Sequence, residues 1–363
     1  MKKNILICFL LISIGFTSCN TNDKTILTVK ANQVNPTELN RFIQHQLDSL
    51  NVAGLSIAII HNNKVVYNNA FGFKNLVTQE KCTQNTLFEA CSLSKPVFAY
   101  FVMLQVKNGT IDLDRPLYEY LPNADLAADE RYKKMTARMV LCHTSGLPNW
   151  RDQTDGELKL LFEPGTKFGY SGEGYQYLKD VLKHLLNLDD KGLNKLFQEQ
   201  VVKPLNLDFM QFTWQENFSL KKSYGHRNGK PTQNGPKFLR KGRNEFGAAY
   251  SLHTTSKDYA KFLIHMMNPK SDNKEIVEEM LSLQESMPNE DGERHRSIAF
   301  PVKQVDSSLR YFHSGNNGDF RAYCQFYKDK GYGLVMFSNS DNFFSSNCAQ
   351  NILEYLDDKW FYA

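Results

Sequence analysis

Long apolar runs are nearly absent from this chain of 363 residues. The exception, Ile5 to Phe16, is too short for a comfortable membrane-spanning helix, which needs about 20 residues. Charge of one sign is equally scarce. Lys and Arg number 43 against 39 Asp and Glu, and the resulting +4 is too small to argue for a nucleic-acid partner. No RNP, zinc-finger or helix-turn-helix pattern occurs. The cysteines form no C-x-x-C pair and no Cys/His metal spacing, so no metal or organic cofactor is implied. No internal repeat is visible. What is present, 41% hydrophobic and 12% aromatic residues, is ample for a globular core.

The apolar run follows a basic start, Met1-Lys2-Lys3-Asn4, and precedes Thr17-Ser18-Cys19. This order matches an export signal, and small residues directly before a cysteine resemble a bacterial lipobox. The expectation is a lipoprotein signal peptide over 1–18, lipidation of Cys19, and a polar, Asn/Thr-rich tether over 19–36. The product would be exported to the cell envelope and held by a lipid anchor on the membrane, in the periplasm of a Gram-negative bacterium. Cys82, Cys91, Cys142, Cys324 and Cys348 are odd in number, which excludes complete internal pairing; buried thiols are expected.

Residues 37–360 read as one α/β (α+β) domain, with strands near both ends and a mostly helical lobe inserted at about 125–245. A helix follows Pro36, with Leu39, Ile43, Leu47 and Leu50 on one face. Ala53 to Ile60 and Lys64 to Phe71 flank His61-Asn62-Asn63 as a hairpin. Helices are expected over 175–186, 255–267 and 271–283, the last capped by Ser271 or Asp272. Strands are expected over 297–302, 309–313, 320–327 and 333–338, covered by a terminal helix carrying Ile352, Leu353, Leu356 and Trp360.

Chemistry concentrates in Phe88-Glu89-Ala90-Cys91-Ser92-Leu93-Ser94-Lys95-Pro96. Serine is inert at neutral pH unless a neighbouring base takes its proton, and on a helix Lys95 shares a face with Ser92. Leu93, Val97, Tyr100, Phe101 and Leu104 recur at helical spacing, and Pro96 is tolerated only in a first turn. Ser92 therefore lies at a helix N-terminus, where backbone N–H groups favour developing negative charge. S-x-x-K alone is weak, because Ser219-Leu220-Lys221-Lys222 and Ser271-Asp272-Asn273-Lys274 share the spacing. S-D-N at 271–273 and 340–342 is read as capping and turn sequence. Gly169-Tyr170-Ser171-Gly172-Glu173 breaks the G-x-S-x-G spacing.

Taken in order, a longer set of motifs resembles the serine β-lactamase-related hydrolases: class C β-lactamases, D-alanyl-D-alanine peptidases, D-aminopeptidases and family VIII esterases. The set is Ser92 with Lys95, Asn108-Gly109-Thr110-Ile111-Asp112-Leu113-Asp114, His143-Thr144-Ser145-Gly146-Leu147, and Pro164-Gly165 with Tyr170-Ser171. It continues with Pro204-Leu205-Asn206-Leu207, Gly247-Ala248-Ala249-Tyr250-Ser251 and His313-Ser314-Gly315. The resemblance implies a β-lactamase/transpeptidase-like fold, an antiparallel sheet flanked by N- and C-terminal helices. It also implies Ser92 as acylated nucleophile, Lys95 assisting its deprotonation and Tyr170 as proton shuttle. His313 stands where many relatives have the lysine of K-T-G. Gly315 would leave room for substrate, and the N–H groups of Ser92 and Asn316 would bind the oxyanion.

The family's Y-x-N is broken here by Gly172, which removes an amide contact to substrate. With His313 in place of lysine, this favours small esters slightly over amides. A β-lactamase or D-amino-acid peptidase acting on cell-wall peptides is the alternative within hydrolases. A non-hydrolytic envelope protein that binds peptidoglycan fragments or β-lactams is the alternative outside them. His143 is read as a buried supporting turn. The basic stretch Lys221, Lys222, Arg227, Lys230, Lys237, Arg240, Lys241 and Arg243 is read as a solvated loop, with a rim that attracts acidic ligands as the sharper option.

Overall fold

A computed structural model describes residues 25–235, 244–284 and 294–359. The expected signal segment, Cys19, Lys237, Arg240, Lys241, Arg243 and Trp360 lie outside them. Among the described residues no helix is long and apolar enough to cross a membrane.

Helix α1 (Pro36–Ser49) starts with proline at its first position and Asn35 as cap, whose side chain accepts from Thr37 N at 2.7 Å. Strands β1 (Gly54–His61) and β2 (Lys64–Asn75) form the expected hairpin. Its two turn residues, Asn62 and Asn63, have φ of 51° and 56°, the left-handed pair that a tight hairpin turn requires. A short β3 (Glu80–Lys81) follows. A 3-10 turn at Cys91–Leu93 leads into α2 (Ser94–Lys107), buried on all sides and ended by Gly109 at φ 72°. The lobe carries α3 (Ala137–Leu141), α4 (Gly172–Leu186) and α5 (Asp190–Phe197). Then come α6 (Ser256–Met267) and α7 (Lys274–Leu281). The chain closes with β4 (Arg294–Arg296), β5 (Pro301–Val305), β6 (Ser308–Asn316), β7 (Arg321–Tyr327), β8 (Tyr332–Ser338) and α8 (Cys348–Tyr355).

These strands form one 8-stranded sheet in the order β4-β5-β6-β7-β8-β1-β2-β3, antiparallel throughout. Strand alternation divides the core. Leu55, Ile57 and Ile59 with Leu334 and Met336 face α1 and α8, against Leu39, Ile43, Ile352 and Leu353. Ala58, Ile60, Val335 and Phe337 face the opposite way, toward α2, α6 and the lobe. All five described cysteines are buried, and no disulfide forms among the described residues.

Four local expectations are corrected. Residues 25–34 are not a loose tether: Ile26–Leu27 pairs with Gln33–Val34, and Ile26 is buried against the α1 side of the core. Thr28 donates to Asp357 at 2.6 Å, which ties this segment to the far end of the chain. The strand expected at 297–302 begins instead at Pro301, because Ala299 adopts φ 66° and Ser297 N bonds Phe300 O in a turn. Helix α7 is preceded by a 3-10 turn at 271–273, and its cap position, Asn273, makes no side-chain capping bond. Finally, Lys222 is 1% exposed rather than solvated.

Candidate active site

The chain enters the Ser92 turn from Phe88–Glu89, which pairs with His253–Thr254. Cys91 is forced to φ 52°, a backbone state that costs a non-glycine residue about 1–3 kcal/mol. The surroundings over-determine it. Ala90 N donates to Leu252 O at 2.8 Å, and the Ser94 hydroxyl donates to Cys91 O at 2.6 Å while accepting from Leu252 N at 3.0 Å. Tyr259 adds a bond to Leu93 O at 3.0 Å. Ser92 is left half-buried, facing a cleft.

Lys95 Nζ lies 3.4 Å from Ser92 Oγ and donates to Ala249 O at 3.0 Å. It sits 4.6 Å above the Tyr170 ring and pairs with no carboxylate among the described residues, and burial pushes its pKa down to about 7. The Tyr170 hydroxyl faces the Ser92 side of the cleft; burial drives its pKa up, and Ser92 partly opposes the rise. His143 stacks on Tyr170 at 4.3 Å and 30°. Its Nδ1 accepts from Ser171 N at 3.1 Å, which puts the proton on Nε2, and burial holds the ring well below the usual histidine range. His143 is thus a neutral platform for Tyr170.

Gly315, near the end of β6, abuts the nucleophile turn: a Cβ there would meet Cys91 Cβ at 2.7 Å and Ser92 N at 3.0 Å. His313 is two residues earlier and 1% exposed, with its ring 6.3 Å from Tyr170. Burial, then Lys95, lowers its pKa to about 3, and its Nδ1 donates to Ser314 O at 2.7 Å. It is a neutral group behind the cleft wall and supplies no positive charge to a substrate. Asn316 lines the cleft, its side chain accepting from Gly318 N at 2.8 Å. The cleft, about 460 Å³, is lined by Ser92, Asn149, Trp150, Tyr170, Tyr250, Asn316 and Asn317. Among the described residues, no group of three His, Cys, Asp or Glu could hold a metal ion.

The family described as Beta-lactamase matches residues 39–357, most of the chain. The chain belongs to the Beta-lactamase family. Its members are generally serine hydrolases. Protein flp of Staphylococcus aureus (strain N315) is 22% identical over 339 residues, covering 88% of this chain. The match covers 65% of that relative's own length. An uncharacterized protein of Alkalihalophilus pseudofirmus is 31% identical over 158 residues, 40% of this chain and 44% of its own. Among solved structures, the octameric penicillin-binding protein homologue from Pyrococcus abyssi has the same fold, with TM-score 0.69 and 19% identity over 88% of this chain and 78% of that one.

Two features of this Beta-lactamase family member were not legible in its motifs. Gly172 is covered by Trp150: a Cβ at 172 would approach the indole at 2.6 Å and Asn149 O at 2.9 Å. Beneath the cleft floor lies a buried polar network centred on Glu89. Glu89 accepts from Asn317 at 2.6 Å and from Asn234 at 2.9 Å, and pairs with Lys222 at 3.3 Å. Asn317 also donates to Tyr250 O at 3.2 Å, so one carboxylate ties the end of β6 to the Tyr250 segment. The one available signal was an acidic residue inside the otherwise apolar entry to the Ser92 turn. Lys222 was hidden within a run of basic residues.

Proposed function

We propose that this protein is a serine hydrolase that forms an acyl-enzyme on Ser92 and acts on small esters or amides, with esters preferred. The observation that carries this reading is a buried lysine with a pKa near 7 at 3.4 Å from a cleft-facing serine. Neutral Lys95 takes the Ser92 proton as Oγ attacks the substrate carbonyl. The oxyanion forms at the Ser92 and Asn316 N–H groups, where loss of one donor typically costs about 10²–10³ in turnover. Tyr170 carries the proton to the leaving group as the carbonyl-to-leaving-group bond breaks. Water, deprotonated through Tyr170, then attacks the acyl carbonyl and releases Ser92. The preference for esters is supported by a neutral His313 and by a cleft that, among the described residues, is lined with no charged side chain.

The test is hydrolysis of p-nitrophenyl butyrate by the wild type and Ser92→Ala between pH 6 and 9. Wild-type kcat/KM should rise as pH passes about 7, where Lys95 loses its proton, and activity should vanish in the variant. Equal, negligible rates in both would sink the ester reading. Ser92-dependent nitrocefin turnover would instead favour the β-lactamase or D-amino-acid-peptidase alternative, and no turnover of either would favour an envelope binding role. Export and lipidation at Cys19 belong to the same proposal, supported by the basic start, the apolar run and Thr17-Ser18-Cys19. Radiolabelled palmitate should enter the wild type and not Cys19→Ser.

A further inference from the structure

Both halves of the oxyanion hole proposed above meet at one buried side chain. Ser92 N–H lies in the turn that Phe88–Glu89 feeds, and Asn316 N–H lies at the end of β6. Glu89 is 3% exposed and spans the gap between them. Its two oxygens have separate partners. Oε1 accepts from Asn234 Nδ2 at 2.9 Å and lies 3.3 Å from Lys222 Nζ, which fixes the carboxylate beneath the cleft. Oε2 accepts from Asn317 Nδ2 at 2.6 Å, and Asn317 directly follows Asn316. The same Nδ2 donates to Tyr250 O at 3.2 Å, next in the chain to Ala249, whose carbonyl accepts from Lys95 Nζ at 3.0 Å. Glu89 therefore sits in the segment that carries one donor and holds the strand that carries the other. Through Asn317 it also reaches the loop that holds the base. A buried ion pair adds little stability over packed apolar groups, because desolvation offsets the attraction. What it supplies here is a fixed position.

We propose that Glu89 is a positioning residue for the reaction on Ser92, holding Asn316 N–H at the distance from Ser92 N–H that the oxyanion needs. It touches no substrate and acts through Asn317. A hydrogen bond to a carboxylate is shorter and stronger than a neutral one, which suits the 2.6 Å contact to a clamp. Gly315 sets how closely β6 can approach the nucleophile turn, and Glu89 sets where the end of β6 stops. Misplacing a reacting group by about 1 Å can cost about 10²-fold in rate, so such a clamp has a kinetic signature. The assignment rests on Ser92 being the acylated residue.

The experiment uses the full-length protein, with p-nitrophenyl butyrate as substrate and n-butylboronic acid as probe. Ser92 Oγ adds to boron as Lys95 takes its proton, and no bond to boron breaks. The tetrahedral adduct places a boron-bound oxygen between the two donors, as in the transition state. Asn317→Asp sets a second carboxylate against Glu89. It should lower kcat at least about ten-fold with KM unchanged, short of the about 10²–10³ of a lost donor. The boronate inhibition constant should weaken by the same factor. A merely structural role lowers the active fraction, and so kcat, but leaves the inhibition constant of the folded molecules unchanged. That result overturns the assignment, as does a retained kcat. Glu89→Gln/Asn317→Asp exchanges donor and acceptor across the contact: the new NH2 donates to the new carboxylate, and Oε1 still meets Asn234 and Lys222. It should recover at least about five-fold of both losses, the scale of one hydrogen bond, and no recovery overturns the assignment. If the wild type does not turn over the ester, boronate binding followed by tryptophan fluorescence is the readout, with the same threshold. A wild type that neither hydrolyses the ester nor binds the boronate removes Ser92 as nucleophile, and the assignment falls with it.

Discussion

Gly315 illustrates how a single residue can be dictated by contact. Its φ is not in the left-handed region, so the constraint is purely spatial: Cys91 and Ser92 occupy the place of a Cβ. Gly315→Ala should push β6 away from the nucleophile turn and lower kcat by about 10²–10³, the effect of losing an oxyanion donor. A circular-dichroism melt run beside the kinetics would show whether folding also suffers; retained kcat would dismiss the close approach as unimportant. Sequence alone placed Ser92, Lys95 and Tyr170 in short motifs, and the structure brings the three together. It could not place Asn149 or Trp150, because their meaning lies in the room above Gly172, which no local spacing encodes.

At the level of elements, the Glu89 network joins four distant segments: the entry to the Ser92 turn, the Lys222 loop, the Asn234 turn and the end of β6. Both partners of the ion pair are essentially excluded from solvent, with side chains 0% and 4% exposed. Removing one charge takes away the other's buried counter-charge, and breaking such a pair typically costs about 3–5 kcal/mol. Glu89→Gln should therefore lower the urea midpoint strongly, and adding Lys222→Met should recover part of the loss. If the double variant is as unstable as the sum of the single ones, the two charges do not couple. Helix and strand identities were largely readable from periodicity. The 25–34 hairpin was not, because its stability comes from seating Ile26 and bonding Asp357 near the far end of the chain. Lys222 escaped for the same reason, since its partner lies in another segment.

Over the whole molecule, burial keeps a group of histidines neutral. His143 and His226 are lowered, His265 falls to about 4 and His313 to about 3, in each case chiefly through desolvation. Their folded pKa values lie below that of the unfolded chain, about 6.5, so on acidification the unfolded state takes up protons that the fold refuses. Stability should be fully present above pH 6.5 and decline as pH falls toward 4. Urea midpoints measured from pH 7.5 to 4.5 test this, with His265→Phe losing ground on the wild type less steeply as pH drops. A parallel decline in both would assign the acid sensitivity to other groups. The order of elements, the hairpin turn at Asn62-Asn63 and the serine–lysine pair were determined by the sequence itself, because each depends on neighbours within a few residues. The pKa of Lys95, the neutrality of His313, the burial of Lys222 and the exchange of a side chain at 172 for Trp150 were decided only by tertiary structure. Desolvation and steric exclusion depend on which distant segments close over a group, and folding alone brings those segments together.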